Sequence, residues 1–134
     1  MVTEVVFMSK KNAELEQARA NWAVISIYDY FQEPPALQEG WHDLLQLQFL
    51  DEELGIPGLE AFTNEQAQLV VDFIERMAPQ VEGILVHCHK GVSRSAAVAK
   101  YISQRYQLAL PDGTERYNTK VFQKLQACAG SEHA

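Results

Sequence analysis

A cysteine, a glycine three residues on and an arginine three beyond that can together attack phosphorus, provided the chain folds so that all three face one oxyanion. His87-Cys88-His89-Lys90-Gly91-Val92-Ser93-Arg94-Ser95 supplies that set in nine residues. Cys88 is the candidate nucleophile, because a thiolate is a strong one and is favoured by helix-start amides and a neighbouring cation. Arg94 is suited to the cation's part: its planar fork grips two phosphoryl oxygens and it never loses its charge near neutrality. Gly91 lets the backbone turn tightly, so that successive N–H groups point at one centre. The stretch His89, Lys90, Gly91, Val92, Ser93 and Arg94 is therefore the candidate phosphate cradle. Ser95 is placed to donate its hydroxyl to the Cys88 sulfur and to steady it as a leaving thiolate. His87 is expected to brace the loop through backbone hydrogen bonds rather than to carry the proton.

A Cys-x5-Arg pair by itself arises easily by chance. With His before Cys88, Gly91 between, and serines on both sides of Arg94, the joint chance at ordinary residue usage is on the order of one in a million. The plain alternative is a buried structural cysteine beside a glycine turn. Against it stands the setting that this chemistry requires. Ile84-Leu85-Val86 reads as a short buried strand, and the run from Ser95 through Ala96, Ala97, Val98 and Ala99 reads as the opening of a helix. A helix start has free amides at the positive end of its dipole, which makes it an anion site.

This loop resembles the active-site loop of the cysteine-dependent protein tyrosine phosphatase superfamily, in the small dual-specificity style of compact bacterial members. The resemblance extends, less specifically, to Leu47-Gln48-Phe49-Leu50-Asp51, to the helix around Phe73-Ile74, and to Asn118, Val121 and Leu125, covering roughly residues 20 to 127. It implies a catalytic cycle through a phosphocysteine, with no cofactor. It also implies an aspartate upstream of the cysteine as general acid, and Asp51, closing a strand, is the candidate. Its separation from Cys88 is longer than in the simplest members, and Leu54-Gly-Ile-Pro-Gly58 is the insertion that accounts for it. Asp43, Glu52, Glu53 and Glu60 are rivals. Asn118 is expected either to hold the active-site loop, as the family's asparagine does, or simply to cap the last helix.

The elements that must position these groups are legible in outline. Val2, Val5, Val6 and Phe7 suggest an edge strand, Lys11 to Ala20 a short polar helix anchored by Leu15, and Trp22 to Ile27 an internal strand. From Tyr28 to His42 the prolines of Glu33-Pro34-Pro35 break the pattern. The rings of Tyr28, Tyr30, Phe31 and Trp41 in this loop either cover one end of the core or line the cleft. Leu44 to Leu50 alternates as a strand with Leu45, Leu47 and Phe49 on one face. An acidic loop follows over 51–62, then a capping box at Thr63 to Gln66 opens a helix with Leu69, Val70, Phe73, Ile74 and Met77 as its stripe and Pro79 as its stop. The loop helix runs to about Tyr106, Pro111-Asp112-Gly113 turns the chain, and a last helix spans Asn118 to Ala127. The predicted fold is α/β: a three-layer sandwich with a central, mostly parallel sheet of about four to five strands flanked by helices, like the protein tyrosine phosphatases. The chain, 134 residues long, reads as a single catalytic domain over 1–134, with Cys88 at the carboxyl end of a central strand, where such sheets bind ligands.

A net charge of −7 argues against nucleic acid as a partner. It also confines phosphate affinity to the loop itself, with His89 and Lys90 as the nearby positive groups. No apolar run approaches the ~20 residues that span a bilayer, and the N-terminus carries an acid where a secretion signal would be basic. Cytoplasmic residence, no membrane partner and a monomer are the expectations. Cys88 and Cys128 are the only cysteines. A disulfide between them is not expected in a reducing compartment, and Cys128 reads as a bystander. Cys88 itself would oxidise readily. His87 and His89 flank Cys88 without further ligands at metal spacing, so no metal is expected.

The sequence thus favours a metal-independent phosphomonoesterase acting on phosphotyrosine, with phosphoserine and phosphothreonine as further substrates, in a phosphorylated protein or a small aryl phosphate. The alternatives are a lipid or small-molecule phosphatase, and a phosphate-binding module that does not turn its ligand over. Sulfur transfer or arsenate reduction by the same thiolate fits the loop less well.

Overall fold

The computed structural model describes residues 1–30, 32–51 and 61–133. Four strands, β1 (Glu4–Ser9), β2 (Trp22–Tyr28), β3 (Asp43–Gln48) and β4 (Gly83–Cys88), form one sheet in the order β1-β4-β2-β3, every neighbouring pair parallel. Among the described residues the helices are α1 (Lys10–Leu15), α2 (Asn64–Met77), α3 (Arg94–Tyr106) and α4 (Thr119–His133), with a 3-10 turn at Thr114–Arg116. This is the α/β architecture expected from the alternation of strand and helix patterns. The two strands buried on both faces, β2 and β4, are the near-continuous apolar runs.

Strand alternation divides the core. Ala23, Ile25 and Ile27 of β2 and Ile84 and Val86 of β4 pack with Cys88 into the larger cluster, under α2, α3 and α4. Trp22, Val24 and Leu85 face the other way, onto Ala13 of α1 and onto Leu37 and Trp41. That second layer is thin, one short helix and a loop. Because all strands run the same way, their carboxyl ends share one edge of the sheet, and the chain leaves each strand there close to Cys88. Asp43, at the amino end of β3, is thereby excluded as a rival to Asp51; its carboxylate accepts the neighbouring Leu44 N–H at 2.8 Å.

Two helix ends and one buried stripe differ from expectation, each for a packing reason. The first helix stops at Leu15 rather than Ala20, and Leu15, read as its anchor, is 73% exposed; Ala13 is the residue that packs inward. So short a helix is held by its Ser9 cap and by tertiary contacts, among them Ala13 and the Ala36 N–H donated to Glu14 Oε2 at 2.7 Å. In α2 the stripe is Ala67, Val70, Val71, Phe73, Ile74 and Met77, whereas Leu69 is exposed. The last helix runs past Ala127 to His133, because Ala129 continues the buried row of Val121, Phe122 and Leu125.

The Thr63 capping box forms as expected, with Gln66 N–H donating to Thr63 Oγ1 and Thr63 N–H to Gln66 Oε1, both at 3.1 Å. Gln66 also donates from Nε2 to the carbonyl of Gln48 at 2.8 Å, tying the start of α2 to the end of β3. Thr63→Ala is expected to lower stability by about 1 kcal/mol, read as a lower urea midpoint at unchanged slope.

Candidate active site

The loop from Cys88 to Arg94 is shaped by what presses on it. Gly91 has φ +71°, and a Cβ there would lie 2.3 Å from the backbone nitrogen of Ser9 and 2.5 Å from the carbonyl carbon of Met8. Only glycine fits both the left-handed turn and this approach to the end of β1. The Lys10 N–H donates to the His89 carbonyl at 3.2 Å, fastening the loop to the β1–α1 corner.

Within this frame the Cys88 side chain is 2% exposed and its sulfur has two partners. The Gly91 N–H donates to Sγ at 3.3 Å, and Ser95 Oγ lies 3.1 Å from it, in a hydrogen bond that either atom can donate. His87 faces the opposite side of β4. Sheet register pairs it with Ser26 of β2, and its Nε2 lies 2.6 Å from Ser26 Oγ. His87 is thus braced by a buried side-chain bond across two strands.

Asp51 stands opposite the loop. Its Oδ1 accepts from Ser93 Oγ at 2.8 Å and from Asn118 Nδ2 at 2.8 Å, and its carbonyl accepts from the same Nδ2 at 2.8 Å. Oδ2 has no hydrogen-bond partner among the described residues. Asn118 performs both of the duties between which the sequence left a choice. While Nδ2 holds Asp51, Oδ1 accepts the Val121 N–H at 3.0 Å and caps α4. Its backbone N–H reaches the Ser93 carbonyl at 3.0 Å, so one residue joins Asp51, the loop and the last helix. Ser93, read as a substrate ligand, commits its hydroxyl to Asp51.

Arg94 is buried at the first turn of α3. Its Nη1 lies 2.6 Å from Asp29 Oδ1 and donates to the Phe49 carbonyl at 2.7 Å. These groups enclose a cavity of about 480 Å³ lined by Cys88, Arg94, Asp51, Asp29, Leu50 and Arg116, with His89, Lys90, Val92 and Ser93 along the loop. Cys88, Arg94 and Asp51, singled out from the sequence, therefore meet at one opening. Asp29 and Arg116 were not foreseen. Asp29 sits just beyond a strand and Arg116 in a turn, with no motif to separate either from ordinary surface charge. Tyr28, Tyr30 and Trp41 are not among the cavity residues, and Trp41 packs on the second core cluster. Phe31, the rivals Glu52, Glu53 and Glu60, and the insertion 54–58 lie outside the described residues. Among the described residues no three His, Cys, Asp or Glu side chains gather as a metal site, and no helix is long and apolar enough to cross a membrane.

The family model described as polymorphic toxin system, DSP-PTPase phosphatase, matches residues 37–105, a span that contains Asp51 and the whole loop but neither Asp29 nor Asn118. No curated protein matches the chain by sequence. Human DUSP28 has a similar fold, with a TM-score of 0.61 at 20% identity, over 96% of this chain and 93% of that one. The human tyrosine phosphatase-like serine/threonine/tyrosine-interacting protein has a TM-score of 0.52 at 23% identity, over 84% and 78% of the two chains. At such identities the likeness is one of fold.

Burial drives the His87 imidazole down from 6.5 to about 4, against the opposing pull of the Cys88 backbone and Glu14. The unfolded chain thus takes up this proton as pH falls below 6.5, whereas the folded chain resists until about 4. Stability is expected to decline across that window by an amount on the order of 3 kcal/mol. Urea unfolding at a series of pH values should show a shallower decline in His87→Gln than in wild type; equal slopes would remove His87 as the cause.

Proposed function

We propose that this chain, which belongs to the DSP-PTPase phosphatase family, is a metal-independent phosphomonoesterase that works through a phosphocysteine. The observation that carries the proposal is the meeting of Cys88, Arg94 and Asp51 around one cavity, with the Gly91 N–H and the Ser95 hydroxyl both within hydrogen-bond distance of the cysteine sulfur.

The substrate phosphoryl group sits against the loop amides and Arg94, which neutralise its charge and hold it in line with Sγ. The Cys88 thiolate attacks phosphorus, an S–P bond forms, and the ester P–O bond breaks. Asp51, protonated, gives its proton to the departing oxygen. Its Oδ2 suits this transfer, because the bonds from Ser93 and Asn118 orient the carboxyl through Oδ1. The resulting carboxylate then takes a proton from water as that water attacks the phosphocysteine. The S–P bond breaks, inorganic phosphate leaves, and the Ser95 hydroxyl steadies the returning thiolate.

Phosphotyrosine and other aryl phosphates are the substrates this cavity favours. Cys88 lines it and is buried, so a flat ring with a terminal phosphate would reach it more readily than a short side chain would, and Leu50 and Val92 add apolar lining. Phosphoserine and phosphothreonine are then the slower substrates. The expected setting is a soluble, cytoplasmic monomer acting on a phosphorylated protein.

Hydrolysis of para-nitrophenyl phosphate in EDTA is expected for wild type and not for Cys88→Ser. Binding of inorganic phosphate without turnover in either would replace the enzyme by a phosphate-binding module. Asp51→Asn is expected to lower kcat by roughly two to four orders of magnitude, more for alkyl than for aryl leaving groups. Alkyl phosphate turnover at the wild-type rate would remove Asp51 as the acid.

A further inference from the structure

From Ser95 to Ser103 every residue of α3 is buried except Lys100, which is half-buried and is the one charged side chain of that run. Among the described residues its ammonium forms no ion pair. Its Nζ lies instead 3.8 Å from the centroid of the Tyr117 ring and 5.0 Å from that of Phe122. Arg19 and Arg105 also cover rings, yet each is ion-paired, to Glu16 and to Glu75. For Lys100 the two π-faces are the counterpart of the charge, and such a contact strengthens as water is withdrawn from it.

Tyr117 immediately precedes Asn118, whose Nδ2 grips Asp51 and whose N–H reaches the Ser93 carbonyl. The backbone fixes Tyr117 weakly: it is extended, its N–H donates to the Thr114 carbonyl at 3.2 Å, and the turn before it opens at Gly113 with φ +90°. Its ring is fixed better. Lys100 of α3 lies over its face, and Phe122 of α4 meets it in a T-shaped contact with 5.4 Å between centroids. The two helices thereby take hold of the segment between them at the residue next to Asn118.

We propose that Lys100 is a positioning residue for Asp51: by clamping the Tyr117 ring it fixes the entry of α4, and so the angle at which Asn118 holds the carboxyl. This role rests on the phosphatase reading above and extends it to a residue that does not line the cavity. An uncharged stem of the same length would cover the rings equally well, so the charge is the decisive part of the side chain. Without it the Tyr117 ring is free to leave the face of α3, and Asn118 follows. Oδ1 of Asp51 then keeps only the Ser93 hydroxyl. The acid remains present and is less well aimed, which costs most where the leaving group most needs its proton.

Lys100→Met keeps the stem and removes the charge, whereas Lys100→Arg keeps the charge. The test is kinetics on para-nitrophenyl phosphate and on an alkyl phosphate, together with hydrogen exchange of the Asn118 backbone amide, in wild type and both variants. Lys100→Met is expected to lower kcat on the alkyl phosphate about tenfold and on the aryl phosphate no more than about threefold. Its affinity for inorganic phosphate is expected to equal that of wild type. The Asn118 amide is expected to exchange about tenfold faster in Lys100→Met, and Lys100→Arg to restore both readouts. In an Asp51→Asn background, adding Lys100→Met is expected to cost nothing further. An equal fall on both esters would overturn the proposal, since the variant would then act through general stability rather than through the acid. Wild-type kinetics and exchange in Lys100→Met would overturn it too. Should Lys100→Met not fold, Lys100→Gln decides by the same two readouts. Wild type that hydrolyses neither ester would overturn the phosphatase reading, and exchange at Asn118 would then decide the clamp by itself.

Discussion

A guanidinium taken out of water has to find acceptors in fixed directions, and Arg94 is such a group at the centre of this molecule. Its two acceptors at Nη1 come from different strands: the Asp29 carboxylate just after β2 and the Phe49 carbonyl just after β3. Arg94 itself begins α3, immediately after the loop that follows β4. Three strand exits therefore have to meet within hydrogen-bond distance of one side chain. An all-parallel sheet brings this about, because it places every carboxyl end on the same edge. A slip of one residue in the pairing of β2 with β3 would turn inward-facing side chains outward and move one of the two acceptors out of reach.

The loop that carries Cys88 is supported from outside in a similar way. The end of β1 lies against Gly91 so closely that no side chain fits, and Lys10 fastens the His89 carbonyl. On the other flank, Asn118 links Asp51 to the Ser93 carbonyl and to the cap of α4. The cysteine, the arginine and the aspartate are thus held by elements distant in sequence, which is what a preorganised electrostatic site requires. The buried Ser26–His87 bond adds a further tie directly beneath the nucleophile, between the two central strands.

Charge is distributed with the same economy. The chain as a whole carries −7, so a dianion is repelled at long range. The cavity nevertheless gathers Arg94, Lys90 and Arg116, while the carboxylates among its described residues are each engaged, Asp29 by Arg94 and Asp51 by Ser93 and Asn118. Attraction for an oxyanion is therefore local, acting over the few ångströms at which fixed dipoles and cations dominate over the screened field of the surface.

The Cys88–Arg94 loop, the alternation of strands with helices and the Thr63 cap were legible in the sequence, because each depends on contiguous residues or on a short pattern. Periodicity located β2, β4, α2 and α3 well. It failed at Leu15 and at the end of α4, where inward packing of Ala13 and Ala129, small residues with weak apolar signals, decided the boundaries. Asp29 and Arg116 carry no local mark, and whether Asn118 capped a helix or held Asp51 was open to either answer. These belong to tertiary structure alone. A hydrogen bond or ion pair between residues far apart in the chain depends on where strand register and helix packing carry each backbone, and no spacing within either segment encodes that distance.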